Sequence, residues 1–220
     1  LDIIADTVNI DLGTNVNSVI IDTFGDLTAR ADSMVLEVDV YSDFGDVNIS
    51  NSGDLAVDFA LGDNVTLTAT DGDIFPTGFL GIVVADTRVY LTGNNVAVQV
   101  DAPAVTATAD VGSVDIFAPF GPFTVGGSAV DTFSVDNTGG ITTEQINATT
   151  IELFTGISFG EGQEGPPREG PPRDGGMASI TRGSGSLVAD NITLDADSVN
   201  LVSEAANFDI VTSIGGGINN

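Results

Sequence analysis

Apolar and polar residues alternate along most of the chain. The clearest runs are Asp46-Val47-Asn48-Ile49-Ser50, Asp54-Leu55-Ala56-Val57-Asp58-Phe59 and Asn64-Val65-Thr66-Leu67-Thr68-Ala69-Thr70. The pattern continues through Val89/Leu91, Val96/Val98/Val100, Val105/Ala107/Ala109, Val114/Ile116 and Phe133/Val135. It returns in Ile192/Leu194, Val199/Leu201 and Phe208/Ile210. A period of two places one set of side chains on each face of a β-strand. Here the inward set is Val, Ile, Leu, Ala and Phe, and the outward set is Asp, Asn, Thr and Ser. Helical periodicity is nearly absent, so the chain is expected to be all-β.

Gly-Asp pairs recur at 25–26, 45–46, 53–54, 62–63 and 72–73, each opening a short alternating stretch. Strands are expected about every 8–10 residues, and pairs of them form units of about 18–22 residues. Neighbouring units resemble one another. Their connections shrink to a single Gly-Asp, without the Asn-Gly signals of antiparallel hairpins. This predicts a right-handed parallel β-helix, a β-solenoid, rather than a sandwich. At ~4.8 Å per coil, about ten coils make a rod on the order of 50 Å long.

Residues 160–186 break the pattern with a direct repeat, Gly165-Pro-Pro-Arg-Glu then Gly170-Pro-Pro-Arg-Asp, followed by Gly175-Gly176 and Gly183-Ser-Gly-Ser. Pro-Pro steps favour polyproline II and cannot donate to a sheet ladder. The expected organisation is a solenoid over 1–159, a Gly-Pro-Pro-Arg loop over 160–186 inserted between coils, and the solenoid again over 187–220. Arg168, Arg173 and Arg182 lie in the loop, and are expected to act as a contact arm toward an acidic neighbour, such as a second copy of the chain.

The run from Gly25 to Ile74 resembles the repeats of filamentous-haemagglutinin-like and autotransporter-type adhesins. Those repeats read Gly-Asp-(Leu/Val)-x-(Leu/Ala)-x-Ala. The likeness covers 1–155 and 187–213. It implies a secreted, extended β-helical rod acting in adhesion, biofilm or cell-surface fibres, with no catalytic motif. The chain departs from that family in being shorter and far more acidic, and in carrying the Gly-Pro-Pro-Arg loop.

Charge sharpens the picture. The 220 residues include 32 acidic and five basic ones, for a net charge of −27, yet 42% are hydrophobic. That apolar content excludes a disordered acidic tail. Five scattered Arg and no Lys exclude a nucleic-acid-binding surface and attraction to anionic membranes. No apolar run reaches the ~18 residues of a membrane-spanning helix. Without Cys or His there is no thiolate zinc site, no imidazole ligand and no Ser-His-Asp chemistry.

The remaining candidates rest on carboxylates and hydroxyls. Asp71 and Asp73, Asp136, and Asp195 and Asp197 are candidate Ca²⁺ ligands, which makes calcium the one candidate cofactor. Turn-making is the competing reading of the same residues. Asp71/Asp73 also invite comparison with glycosidase carboxylate pairs, but no cleft of aromatics for sugar stacking is evident. Thr66/Thr68/Thr70 and Thr106/Thr108 suggest the hydroxyl rows of ice-binding solenoids, though the row is not sustained across coils. Phe117, Phe120, Phe123 and Phe133 read as core filling at a bend, with a hydrophobic contact patch as the runner-up.

The chain is therefore expected to be non-enzymatic, extracellular or cell-surface, structural or adhesive. Its strand-like first segment, and a last segment without a capping helix, suggest a chain that continues or copies that stack end to end. Its expected partners are copies of itself, with surface glycans second, and neither nucleic acid nor an inserted membrane. The rival expectation is a β-helical module that binds or cleaves carbohydrate.

Overall fold

A computed structural model describes residues 2–78, 81–155, 178–212 and 218–219. The described residues contain no helix. Their parallel strands stack as a β-solenoid of about 10 turns. Two ladders run the length of the stack and form two opposed faces.

The first face begins with β1 (Asp2–Ala5), β3 (Ser18–Thr23), β5 (Val35–Ser42) and the start of β7 (Asp54–Ala69). It continues through β8 (Ile74–Pro76), the start of β9 (Ile82–Gly93) and β10 (Val96–Asp101). Its far half is β12 (Val114–Ala118), β14 (Thr132–Asn137), β16 (Thr150–Thr155), and the ends of β18 (Leu187–Ala196) and β20 (Ser203–Thr212).

The second face holds β2 (Val8–Thr14), β4 (Leu27–Asp32), β6 (Val47–Asn51) and the ends of β7 and β9. Next come β11 (Ala104–Ala109), β13 (Phe123–Ala129) and β15 (Ile141–Asn147). After β17 (Ser179–Arg182) and the start of β18 it ends with β19 (Ser198–Asn200), the start of β20, and β21 (Ile218–Asn219).

The core is what the alternation demands. Leu36, Leu55 and Ile74 stack in register. The same inward column runs on through Val96, Val114, Phe133, Ile151 and Ile192. Each of these side chains is almost wholly buried. Burial of aliphatic surface on this scale is the main driving force for folding. Parallel pairing of like with like leaves each coil to complete its neighbour's core.

Corners explain the Gly-Asp signature. A side chain on Gly72 would overlap the carbonyl carbon of Gly53 below it, and one on Gly45 would overlap Gly25. The residue after each glycine then bonds upward. Asp54 Oδ1 accepts the Asp73 N–H (2.9 Å), Asp73 Oδ1 accepts that of Asn95 (3.0 Å), and Asn95 Oδ1 accepts that of Ser113 (3.0 Å). A second such column runs from Asp26 to Asp46 to Asn64. Backbone donors that the turn removes from the ladder are thus satisfied by short side chains.

The insertion lies between β16 and β17. Val96 pairs with Val114, a step of 18 residues, and Leu27 with Val47, a step of 20; Ile151 pairs with Ile192, a step of 41. The step is longer by about one coil's length of chain, most of the Gly-Pro-Pro-Arg segment lies outside the described residues, and the register resumes afterwards. Ser179–Arg182, expected in the loop, is instead a strand, β17, paired with both β15 and β19. Ala178 and Ile180 keep the inward alternation and are buried, so the rod is regained before Leu187. Gly183–Ser186 belongs to a corner, where Gly183 donates its N–H to the Thr143 carbonyl at 2.7 Å.

Candidate functional site

The expected site residues separate in three dimensions. Asp73 Oδ1 is occupied by two donors, the backbone N–H of Asn95 and its side-chain amide at 2.9 Å. Asp71 is exposed beside it, and its carbonyl accepts the Asn94 side-chain amide at 2.9 Å. Asp197 sits at another corner, where Oδ2 accepts the Ala178 N–H at 3.1 Å. Asp136 and Asp195 point outward from the first face. Among the described residues no three or more Asp and Glu side chains are grouped so as to hold one metal ion. At this corner the Asp71 backbone carbonyl and the Asp73 carboxylate both accept hydrogen bonds from the next turn. Replacing Asp73 by Ala removes acceptors for two donors and is expected to cost about 1–3 kcal/mol in denaturant unfolding. Asp71→Ala, which leaves its backbone carbonyl in place, is expected to cost less.

Of the assembly residues, Arg168 and Arg173 lie outside the described residues. Arg182 is exposed at the end of β17, in register with Thr143. The aromatic cluster splits. Phe123 and Phe133 are core, Phe117 faces outward half-buried, and Phe120 is exposed.

Register creates a row that was not expected. On the first face Asp39, Phe59, Ile82, Gln99, Phe117, Asp136, Phe154 and Asp195 fall one above the other. The adjacent outward column holds Asp115, Ser134, Glu152, Thr193 and Asp209. Asp136 therefore lies between two phenylalanines, with Asp115 and Glu152 diagonally beside it. Lower on the rod Tyr41 stacks on Phe59, ring centroids 6.3 Å apart. Aromatics do line a face, although no sequence segment contains them together.

Among the described residues no arginine compensates the charge on this face. The described arginines, Arg30, Arg88 and Arg182, all belong to second-face strands. Burial pushes the Asp115 carboxyl above its ordinary value of 3.8. Asp136 is raised by burial first, then by the neighbouring Asp115 and Glu152 charges. Asp39 is raised by burial and by Asp58. A carboxyl whose folded pKa is raised holds its proton more tightly in the folded state. Stability is then lower above the folded pKa and is regained as pH falls toward the unfolded value. Thermal melts are expected to show a rising Tm on acidification from neutrality toward the region just above 3.8. The rise is expected to flatten in the Asp115→Asn/Asp136→Asn double variant. A Tm that falls throughout that range in the parent protein would contradict the assignment.

The second face is more polar and carries an axial ion pair. Arg88 donates to both Glu144 oxygens, at 2.8 and 3.0 Å, and to Thr106 Oγ1 at 3.0 Å. The pair holds the Glu144 carboxyl below its ordinary value, chiefly through the hydrogen bond from Arg88. Glu144 passes over Gly126, where a side chain would collide with its Cβ at 2.8 Å. The hydroxyl row is also longer than expected: Ser50, Thr68, Thr92, Thr108 and Ser128 occupy successive rungs. Tyr90 and Gly126 interrupt its companion column of Thr66 and Thr106.

No protein-family model, curated protein or solved structure matches this chain.

Proposed function

We propose that the chain is a non-enzymatic structural or adhesive rod that works outside the cell, joins other copies of itself, and makes contacts through its flat faces. The observation that carries this reading is the repeat itself. Parallel strands stack through about 10 turns over an inward column of apolar residues, and both ladders span that stack. Such a scaffold is stiff along its axis and presents side chains at a fixed ~4.8 Å spacing, suited to extended contact surfaces. The adhesin-type resemblance of the Gly25–Ile74 repeats points the same way. Copies carrying −27 repel one another, so joining is expected to need acid, added cations or salt that screens the charge.

The test is electron microscopy with sedimentation across protein concentration, pH and Ca²⁺. Rods on the order of 50 Å that lengthen into filaments support the reading. A species that stays monomeric under all these conditions overturns the joining step. A carbohydrate-cleaving module is the second reading, favoured by one observation: Asp115 and Asp136 have raised pKa values beside Phe117 and Phe154, as a general acid on a sugar platform would. Turnover of a polysaccharide that is lost in Asp136→Asn would replace the structural role with an enzymatic one.

A further inference from the structure

We propose that the first face, around Asp136, Phe154, Asp115 and Glu152, docks an arginine-bearing polypeptide supplied by another protein. This deepens the contact-surface reading above and rests on it.

Three observations select that partner. The face pairs half-buried rings with carboxylates in strict register, Asp136 directly below Phe154 and Glu152 beside it. A guanidinium matches both, because it binds a carboxylate through two parallel N–H donors and stacks on a ring. Second, the described arginines all lie on the opposite face, and Arg88 is already held by Glu144. The rod therefore does not neutralise this face with its own described side chains. Third, a second copy is a poor occupant, since it brings another −27. A metal ion would use the carboxylates and leave the rings unused, and the described residues form no three-ligand group. Burial raises the pKa values of Asp115 and Asp136, and the neighbouring Asp115 and Glu152 charges add to the shift at Asp136.

The experiment uses the full chain and fluorescein-labelled nona-arginine and nona-lysine, with anisotropy read at 50 and 150 mM salt. Asp136→Asn/Glu152→Gln removes two charges from the face. Asp110→Asn/Asp131→Asn removes two exposed charges from corners and serves as the equal-charge control. Circular dichroism confirms that each variant is folded.

Nona-arginine is expected to bind more tightly than nona-lysine by about threefold or more. At 150 mM salt the face variant is expected to lose about tenfold in affinity, and the control less than about twofold. Phe154→Ala is expected to narrow the gap between the arginine and lysine peptides. Equal losses in face and control variants, or no gap between the peptides, would mean only a diffuse ion atmosphere and would overturn the proposal. A neutral oligosaccharide that competes for the same face, with nona-arginine binding unaffected by the face variant, would overturn it in favour of a glycan. If the peptides fail while rods and filaments form normally, the partner assignment falls and the structural role stands. Specific peptide binding by a strictly monomeric chain has the opposite meaning.

Discussion

Phe133→Ala is expected to lower the unfolding free energy by about 3–5 kcal/mol. Phe133 is the largest of the fully buried side chains. It occupies the inward column between Val114 and Ile151, so a coil lies on either side of it. Truncation leaves a void that neighbouring rungs cannot close, because their spacing is set by backbone hydrogen bonds rather than by side-chain size. Urea unfolding followed by circular dichroism measures the loss. The solenoid couples only adjacent coils, so the transition is also expected to broaden or split as the stack weakens at one rung. A loss under about 1 kcal/mol with an unchanged transition would show that the core does not depend on this column. Phe120→Ala, a similar truncation at an exposed ring, is expected to change little, within about 0.5 kcal/mol.

The second large effect is expected at Gly127. Its φ is 139°, a conformation that side-chain-bearing residues rarely adopt. A Cβ there would overlap the carbonyl oxygen of Ala107 on the rung below and come within 2.8 Å of its carbonyl carbon. The register of β13 against β15 shifts between Val125 and Gly127, where β15 carries one extra residue and bulges opposite Gly126, next to this glycine. Gly127→Ala forces either the bulge or the Ala107 peptide to move. Backbone strain of this kind costs about 1–3 kcal/mol and overpacking adds a similar amount. The Arg88–Glu144 pair crosses the adjacent Gly126, so movement of the bulge is also expected to disturb that pair. Chemical denaturation of Gly127→Ala beside Gly13→Ala separates the effects. Gly13 also has a positive φ, 65°, but has nothing within 4 Å of its would-be Cβ. Equal losses in the two variants would leave no role for the contact with Ala107; a much larger loss at Gly127 is the expected result, from that contact together with its more restrictive φ.

Much of this architecture is legible in the linear chain. Alternation at Val47/Ile49 and Val65/Leu67 identifies inward residues, and each is buried. Gly45-Asp46 and Gly72-Asp73 mark corners, because a tight stack excludes Cβ and the next residue must supply an acceptor. A calcium ligand and a corner-capping Asp have the same sequence signature, and the hydrogen-bond partners of Asp73 become visible only in the fold. The end of the inserted segment is misread for a related reason. Ser179–Arg182 offers a strand of four residues, too short to stand out beside the glycines and prolines around it.

Composition and alternation by themselves determine that the chain is all-β, that it repeats in coils of about twenty residues, and that its core is aliphatic while its surface is acidic. Which outward residues become neighbours is decided only by the tertiary structure. Outside the insertion coil steps still vary, from 16 residues between Val89 and Val105 to 24 between Asn64 and Arg88. A change of one residue at a corner would move every outward side chain relative to the rung below. Phe117, Asp136 and Phe154 are unremarkable residues of three separate strands until backbone pairing stacks them. The same stacking sends the described arginines to the other face and places none of them beside the carboxylates around Asp136.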